Sequence, residues 1–180
     1  MGAAQGRSGP VRGRCGGGAS GRVRYGRCVT TDETALREFW DEARTARPDL
    51  PTELPGAWAF GATPDHADGL LRLVLDGAKT ATASALWDYE SGGEQVPRVG
   101  ELSIILDGAG APRAVLEVTA LTIVPFGEVT AEHARAEGED DRTLESWRRI
   151  HERFWTEHSP RGFAPDMDVV CEEFRVVHSR

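Results

Sequence analysis

The chain has 180 residues, 39% hydrophobic and 28% charged, with a formal net charge of −8. That length and composition fit one globular domain with its own core, and no run approaches the ~18 to 20 apolar residues that span a bilayer. The N-terminus lacks the apolar segment of a secretory signal, and Cys15, Cys28 and Cys171 form neither an even framework nor a CxxC pair, so a reducing cytoplasm is the expected location.

Charge divides the chain in two. Residues 1–28 hold six arginines and no acid, for +6, while the rest holds 15 basic and 29 acidic side chains, for −14. The first segment is rich in glycine and arginine and has almost no aliphatic residues, so it cannot bury enough surface to offset the entropy of ordering it. It reads as a disordered tail: an upstream extension, a basic arm for phosphates, or a targeting segment. The acidic body repels long polyanions. A small ligand or a short single strand entering a cleft is easier to accommodate.

From Thr31, the segment TDETALREFWDEARTARP predicts a capped amphipathic helix. Leu36, Phe39, Trp40 and Ala43 share one stripe, and Pro48 ends it. PDLPTELPG is a proline-rich connector, so residues 29–57 form a helix and linker ahead of a main domain at 58–178. WAFGATPDHADGLLRLVLDG predicts a second helix, with Thr63 as N-cap, Pro64 as its first residue and Gly77 as its stop. Its buried face is Leu70, Leu71, Val74 and Leu75.

Beyond that glycine the period changes. TATASALW reads as a strand, YESGGEQVPRVG as a loop, ELSIILDG as a strand and PRAVLEVTALTIVPF as a long strand. Thr130 caps a short helix through Ala136. Thr143 caps a longer one, TLESWRRIHERFWTEH, with Leu144, Trp147, Ile150 and Phe154 inward and His151 a candidate to join them. MDVVCEEFRVVH is the last strand. The order predicts an α+β fold: a mostly antiparallel sheet curled into a small barrel and flanked by helices.

One short run carries a chemical question. In DGAKTATAS, Lys79 is the only lysine in the chain; every other basic side chain is arginine. Arginine stays protonated in any protein environment, whereas a desolvated lysine can lose its proton. A lone lysine beside a glycine turn with small neighbours is therefore a candidate base or nucleophile; the alternative is a solvated surface residue. Thr80, Thr82 and Ser84 alternate and share one face of a strand. For Lys79 to converge with Thr82, it must sit in the turn rather than in the pleat.

Other groups are weighed the same way. Glu137 precedes Gly138, a helix stop, so its side chain can turn inward as a proton shuttle. Glu139, Asp140 and Asp141 read as a solvated acidic face. Glu117, in mid-strand, either faces solvent or pairs with Lys79. Trp87, Tyr89 and Arg98 are either a clamp for a base or ordinary core and surface residues. His133, His151, His158 and Cys171 lack metal-ligand spacing, so no metal site is expected. A loose Mg²⁺ patch from Glu139, Asp140, Asp141, Asp166 and Asp168 is the one alternative.

Taken together, GAKTATAS after a helix, the VGEL strand entry, LEVT, PFGEVTAEHARAEGE and EGEDDRTLESWRRIH resemble the ASCH domain family over about residues 58–177. That family has a barrel related to the PUA fold and an association with RNA. One branch of it removes the acetyl group from N(4)-acetylcytidine, using a lysine and a threonine in G-x-K-T-x-T and a glutamate after H-A-x-x-E. By that resemblance the catalytic set here is Lys79, Thr82 and Glu137, and the position where the branch carries an arginine is Ser84. Thr80, Ser84, Trp87, Arg98 and Glu117 are the substrate-binding candidates. The resemblance implies a modified nucleoside or short single-stranded RNA as partner, no cofactor, and hydrolysis of an acyl group from a modified cytidine. Two alternatives remain: a metal-dependent ribonuclease that would use Mg²⁺, and an RNA-binding or regulatory module without chemistry.

Overall fold

The structure is a computed structural model that describes residues 32–180. The expectations for the 1–28 tail and for Thr31 lie outside the described residues. Helix α1 (Glu33–Ala46) is capped by Asp32, whose carboxylate accepts from Thr34 N. Its buried face is the expected stripe of Leu36, Phe39, Trp40 and Ala43. These residues pack with Leu50, Ala57, Ile104, Leu106 and Val115 in one apolar cluster, so the helix and the linker share the core of the sheet.

Strand β1 (Gly56–Trp58) follows, and then α2 (Pro64–Leu75), with Thr63 accepting from His66 N and proline in the first turn. Helix α2 ends where Gly77 takes a φ of +72°, a conformation glycine adopts without Cβ strain. Leu70, Leu71 and Val74 are buried as expected, but Leu75 is 40% exposed because it falls past the edge of the stripe. Strand β2 (Ala81–Ala85) runs directly into a short helix, α3 (Leu86–Gly92), which ends on left-handed Gly93.

Two antiparallel strands come next, β3 (Leu102–Leu106) and the long β4 (Pro112–Pro125). After a single 3₁₀ turn, α4 (Ala131–Glu137) and α5 (Leu144–His158) are capped by Thr130 and Thr143. Strand β5 (Asp168–Ser179) closes the chain. Along α5 the fully buried ring is Trp155, with Trp147 and His151 beside it; Leu144, Ile150 and Phe154 are half-buried.

The five strands form one sheet in the order β1-β3-β4-β5-β2. The α+β class is as read from the sequence, but the mostly antiparallel small barrel is refined to a curled, mixed half-barrel, with three antiparallel strand pairs and one parallel. Its parallel pair is β1 with β3, Ala57 opposite Ile104, and this pair was missed because three residues after a proline-rich linker carry no periodicity. Helix α3 was missed for a similar reason: only six residues precede the Gly92-Gly93 pair, and the run reads as the end of a strand and a loop. Register shifts at Val115/Leu116 and Val118/Ala120 bend β4 against β5 and give the sheet its curl.

Candidate functional site

Lys79 lies in the turn between α2 and β2, not in the pleat of the strand. Its backbone is pinned from two sides. Ala78 N and Lys79 N both donate to Leu73 O at the end of α2, at 2.9 and 3.0 Å, and Thr80 N donates to Ala136 O of α4 at 2.7 Å. Gly138 ends α4 at a φ of +73°, against the Ala78 carbonyl, where a Cβ would collide with backbone. The missing side chain lets the end of α4 press onto the lysine turn.

This contact brings the ends of α4 and of the Lys79 turn together inside the protein. Lys79 and Glu137 are each 1% exposed. The amine donates to Glu137 Oε2 at 2.9 Å, to Glu139 Oε1 at 2.8 Å and to the Glu137 carbonyl at 3.4 Å. Two carboxylates and a carbonyl can only accept, so all three bonds draw their protons from the nitrogen, which is an ammonium. Burial alone pulls the amine's pKa down, but Glu137 and Glu139 outweigh burial and hold it above its ordinary value. The sequence-based expectation of a lysine neutralised by desolvation is therefore corrected: desolvation is complete, and the paired carboxylates keep the charge.

Glu137 is equally committed. Its Oε1 accepts from Trp147 Nε1 at 2.6 Å, and His133 Nε2 and His151 Nε2 stand 3.2 and 3.5 Å away. Although burial opposes ionisation, Lys79 first and then the two histidines pull its pKa far below the carboxylate range. His151 Nδ1 is 2.9 Å from the Trp147 carbonyl, which can only accept, so that nitrogen is the donor and Nε2 is left to face the carboxylate. The His151 ring also stacks on Trp147 at 4.2 Å.

The ammonium and its carboxylates form one wall of a cavity with about 520 Å³ of open space, mouth included. Thr82 and Ser84 of β2 line it, and among the described residues neither hydroxyl has a hydrogen-bond partner. Trp58, Phe60, His66, Ile150 and Phe154 supply flat and apolar walls. Phe60 sits 5.6 Å from the amine and packs edge-on to Trp58. Burial pulls His66 below the usual histidine value, which favours a neutral ring at the mouth.

Of the sequence-predicted residues, Lys79, Thr82, Glu137 and Ser84 meet at this cavity. The others are placed elsewhere. Thr80 is exposed and its hydroxyl lies on the Ala136 carbonyl. Trp87 bonds Ser159 Oγ and carries the Arg161 guanidinium on its face, away from the cavity. Arg98 is exposed and bonds Gln95. Glu117 takes the facing-outward alternative and pairs with Arg175 at 2.8 Å rather than with Lys79.

Several groups went unrecognised in the sequence. Glu139 was read as part of a solvated face, yet it holds Lys79. His133 and Glu137 are four apart, as are Trp147 and His151, and that spacing on a helix puts each pair on one face. This was the available signal. Phe60 and His66 flank a helix start and carried none. Of the acidic residues weighed as a loose Mg²⁺ patch, Asp140 holds Arg149 and Ser146, and Asp141 caps α5 through Thr143. Among the described residues no group of three or more His, Cys, Asp or Glu is arranged to hold a metal ion. Burial pushes the Cys171 thiol up to about 12, which keeps it out of nucleophilic chemistry. No helix among the described residues is long and apolar enough to cross a membrane.

Comparison with known proteins covers most of the chain. The ASCH domain model matches residues 56–178. A crystal structure of a family DUF984 protein from Enterococcus faecalis V583 is similar at 35% identity, over 79% of this chain and 88% of that one, with a TM-score of 0.73. A crystal structure of an ASCH domain from Lactobacillus crispatus JV V101 is similar at 28% identity, over 81% of this chain and 95% of that one, also with a TM-score of 0.73. No curated protein matches.

Proposed function

The chain belongs to the ASCH domain family, and on that premise we propose that its cavity takes a pyrimidine nucleoside or the end of a short RNA and hydrolyses an acyl amide on the modified base. The observation that carries this reading is the fully buried Lys79 ammonium, held by two carboxylates on one wall of an aromatic-lined cavity. Mostly apolar and aromatic walls with a few convergent polar groups are the usual make-up of a small-molecule site. Flat walls from Trp58, Phe60 and Phe154 suit a planar ring.

Amide hydrolysis needs a fixed positive charge and hydrogen-bond donors where the oxyanion develops. Lys79 supplies the charge and the free hydroxyl of Thr82 a donor, with Ser84 in reach of the same ligand. Glu137, with one carboxylate oxygen bonded to Lys79 and the other to Trp147, anchors the ammonium rather than moving a proton. One cation against two carboxylates leaves the wall net negative, and among the described residues no arginine lines the cavity. An uncharged nucleoside is favoured over a nucleotide or a phosphate-rich strand.

The test is turnover of N(4)-acylated cytidines by the wild type, Lys79→Arg and Glu137→Gln. The wild type is expected to release the carboxylic acid, and each variant to lose roughly 100-fold or more, as when an oxyanion donor is removed. Equal turnover by all three would remove the mechanism. No turnover, with RNA binding that weakens steeply with salt, would favour the binding module; RNA cleavage abolished by a chelator would favour the ribonuclease.

A further inference from the structure

Hydrolysis of an amide also needs a base for the attacking water, and neither Lys79 nor Glu137 is free to be one. Resting on the amide-hydrolysis reading above, we propose that Glu139 is the general base of the site. Glu139 is the partly open member of the pair, with its side chain 17% exposed against 1% for Glu137. Its Oε1 is spent on Lys79; its Oε2 has no hydrogen-bond partner among the described residues, and the residue lines the cavity.

The loop that carries it is built to hold one side chain inward. Asp140 and Arg142 both take left-handed φ values, 47° and 64°, which cost free energy for residues with a Cβ. The surrounding bonds hold those conformations. Asp140 is tied to Ser146 and Arg149, Asp141 caps α5, and the Arg142 guanidinium makes two bonds to the Arg135 carbonyl. Every polar side chain from 140 to 142 bonds to the protein, while Glu139 alone in the loop points to the cavity.

In the step assigned to it, Glu139 Oε2 takes a proton from water as the water oxygen bonds to the acyl carbon. The carbonyl oxygen becomes an oxyanion against the Lys79 ammonium and the Thr82 hydroxyl. When the C–N bond breaks, the proton on Glu139 passes to the leaving exocyclic nitrogen. One water is consumed, and the products are the carboxylic acid and the free amino base. The Lys79 contact on Oε1 keeps the carboxylate aimed throughout.

The experiment compares wild type, Glu139→Gln, Glu139→Ala and Glu139→Asp on N(4)-acetylcytidine across pH, with thermal melts to confirm folding. Glu139→Gln is expected to lose ~100-fold or more in kcat with little change in KM, and to lose the acid limb of the pH profile. Added formate is expected to restore part of the Glu139→Ala rate, and Glu139→Asp to keep the acid limb at a reduced rate. Glu139→Gln within threefold of an active wild type, or an unchanged acid limb, overturns the base assignment and leaves the hydrolysis reading standing. An inactive wild type overturns both.

Discussion

The two ends of the sheet are held together in opposite ways. At the β1 edge, α1 lays Phe39 and Trp40 on Ile104 and Val115 in an apolar cluster, with Glu42 pairing with His178 and Arg180 beside it. At the β2 edge, the end of α4 meets the sheet through an ammonium, two carboxylates, two histidines and an indole N–H, most of them sealed from water. The first arrangement is the ordinary one and any well-packed set of side chains can supply it. The second is costly, because each buried charge loses hydration that its partners only partly return. That costly polar density beside a cavity is the feature on which the proposed site rests.

Mutation can break this contrast most sharply at Glu137. Glu137→Ala leaves the buried ammonium with Glu139 as its one carboxylate and the Trp147 indole without its acceptor, and is expected to cost about 3–5 kcal/mol near neutral pH by urea denaturation. Lys79→Met combined with Glu137→Met is expected to recover much of that loss while leaving the protein inactive. Ile104→Ala at the apolar edge is expected to cost a comparable ~2–5 kcal/mol through the cavity it leaves.

Acidity separates the two. Glu137 has a depressed folded pKa, so its contribution is present above its ordinary value of 4.5 and is lost as pH falls toward the folded value. Lys79 has a raised one, so its contribution is present below the ordinary 10.5 and is lost as pH rises through the folded value. The penalty of Glu137→Ala is therefore expected to shrink below pH 4.5, while that of Ile104→Ala stays flat. Parallel pH curves for the two variants would contradict the contrast.

Gly138→Ala probes the joint itself. It adds a Cβ against the Ala78 carbonyl and a left-handed φ penalty of about 1–2 kcal/mol, so a loss of at least that size is expected, with turnover falling further as α4 moves off the lysine turn. The smallest effect is expected at Glu117, whose pair with Arg175 lies on the outer face. Glu117→Ala should change stability by less than ~1 kcal/mol and leave turnover unchanged. A large loss of turnover there would show that the site extends beyond the cavity.

The same contrast explains what could be read in advance. The apolar edge declared itself through periodicity: Leu36, Phe39, Trp40 and Ala43 recur at helical spacing, and Thr63, Thr130 and Thr143 mark helix starts. Lys79, Thr82 and Glu137 were visible because a lone lysine among arginines is conspicuous and its surroundings match a family motif. Glu139 was hidden in a run of four acidic and glycine residues that looks like solvated surface. Only the left-handed turns at Gly138, Asp140 and Arg142 aim it inward, and such turns at an aspartate and an arginine have no sequence signal. Strand β1 depends on a partner 47 positions away, Ala57 on Ile104, and no local pattern reports that pairing.

The single lysine makes the decisive measurement simple. Protein grown with ¹³C,¹⁵N-lysine gives one side-chain resonance set, that of Lys79, which can be followed by NMR across pH without assignment. Lys79 is expected to show an ammonium whose titration midpoint lies above the ordinary 10.5 and drops when Glu139 is replaced by glutamine. A midpoint at or below 10.5, unmoved by that replacement, would mean the amine is not held by the two carboxylates, and the site described here would not exist.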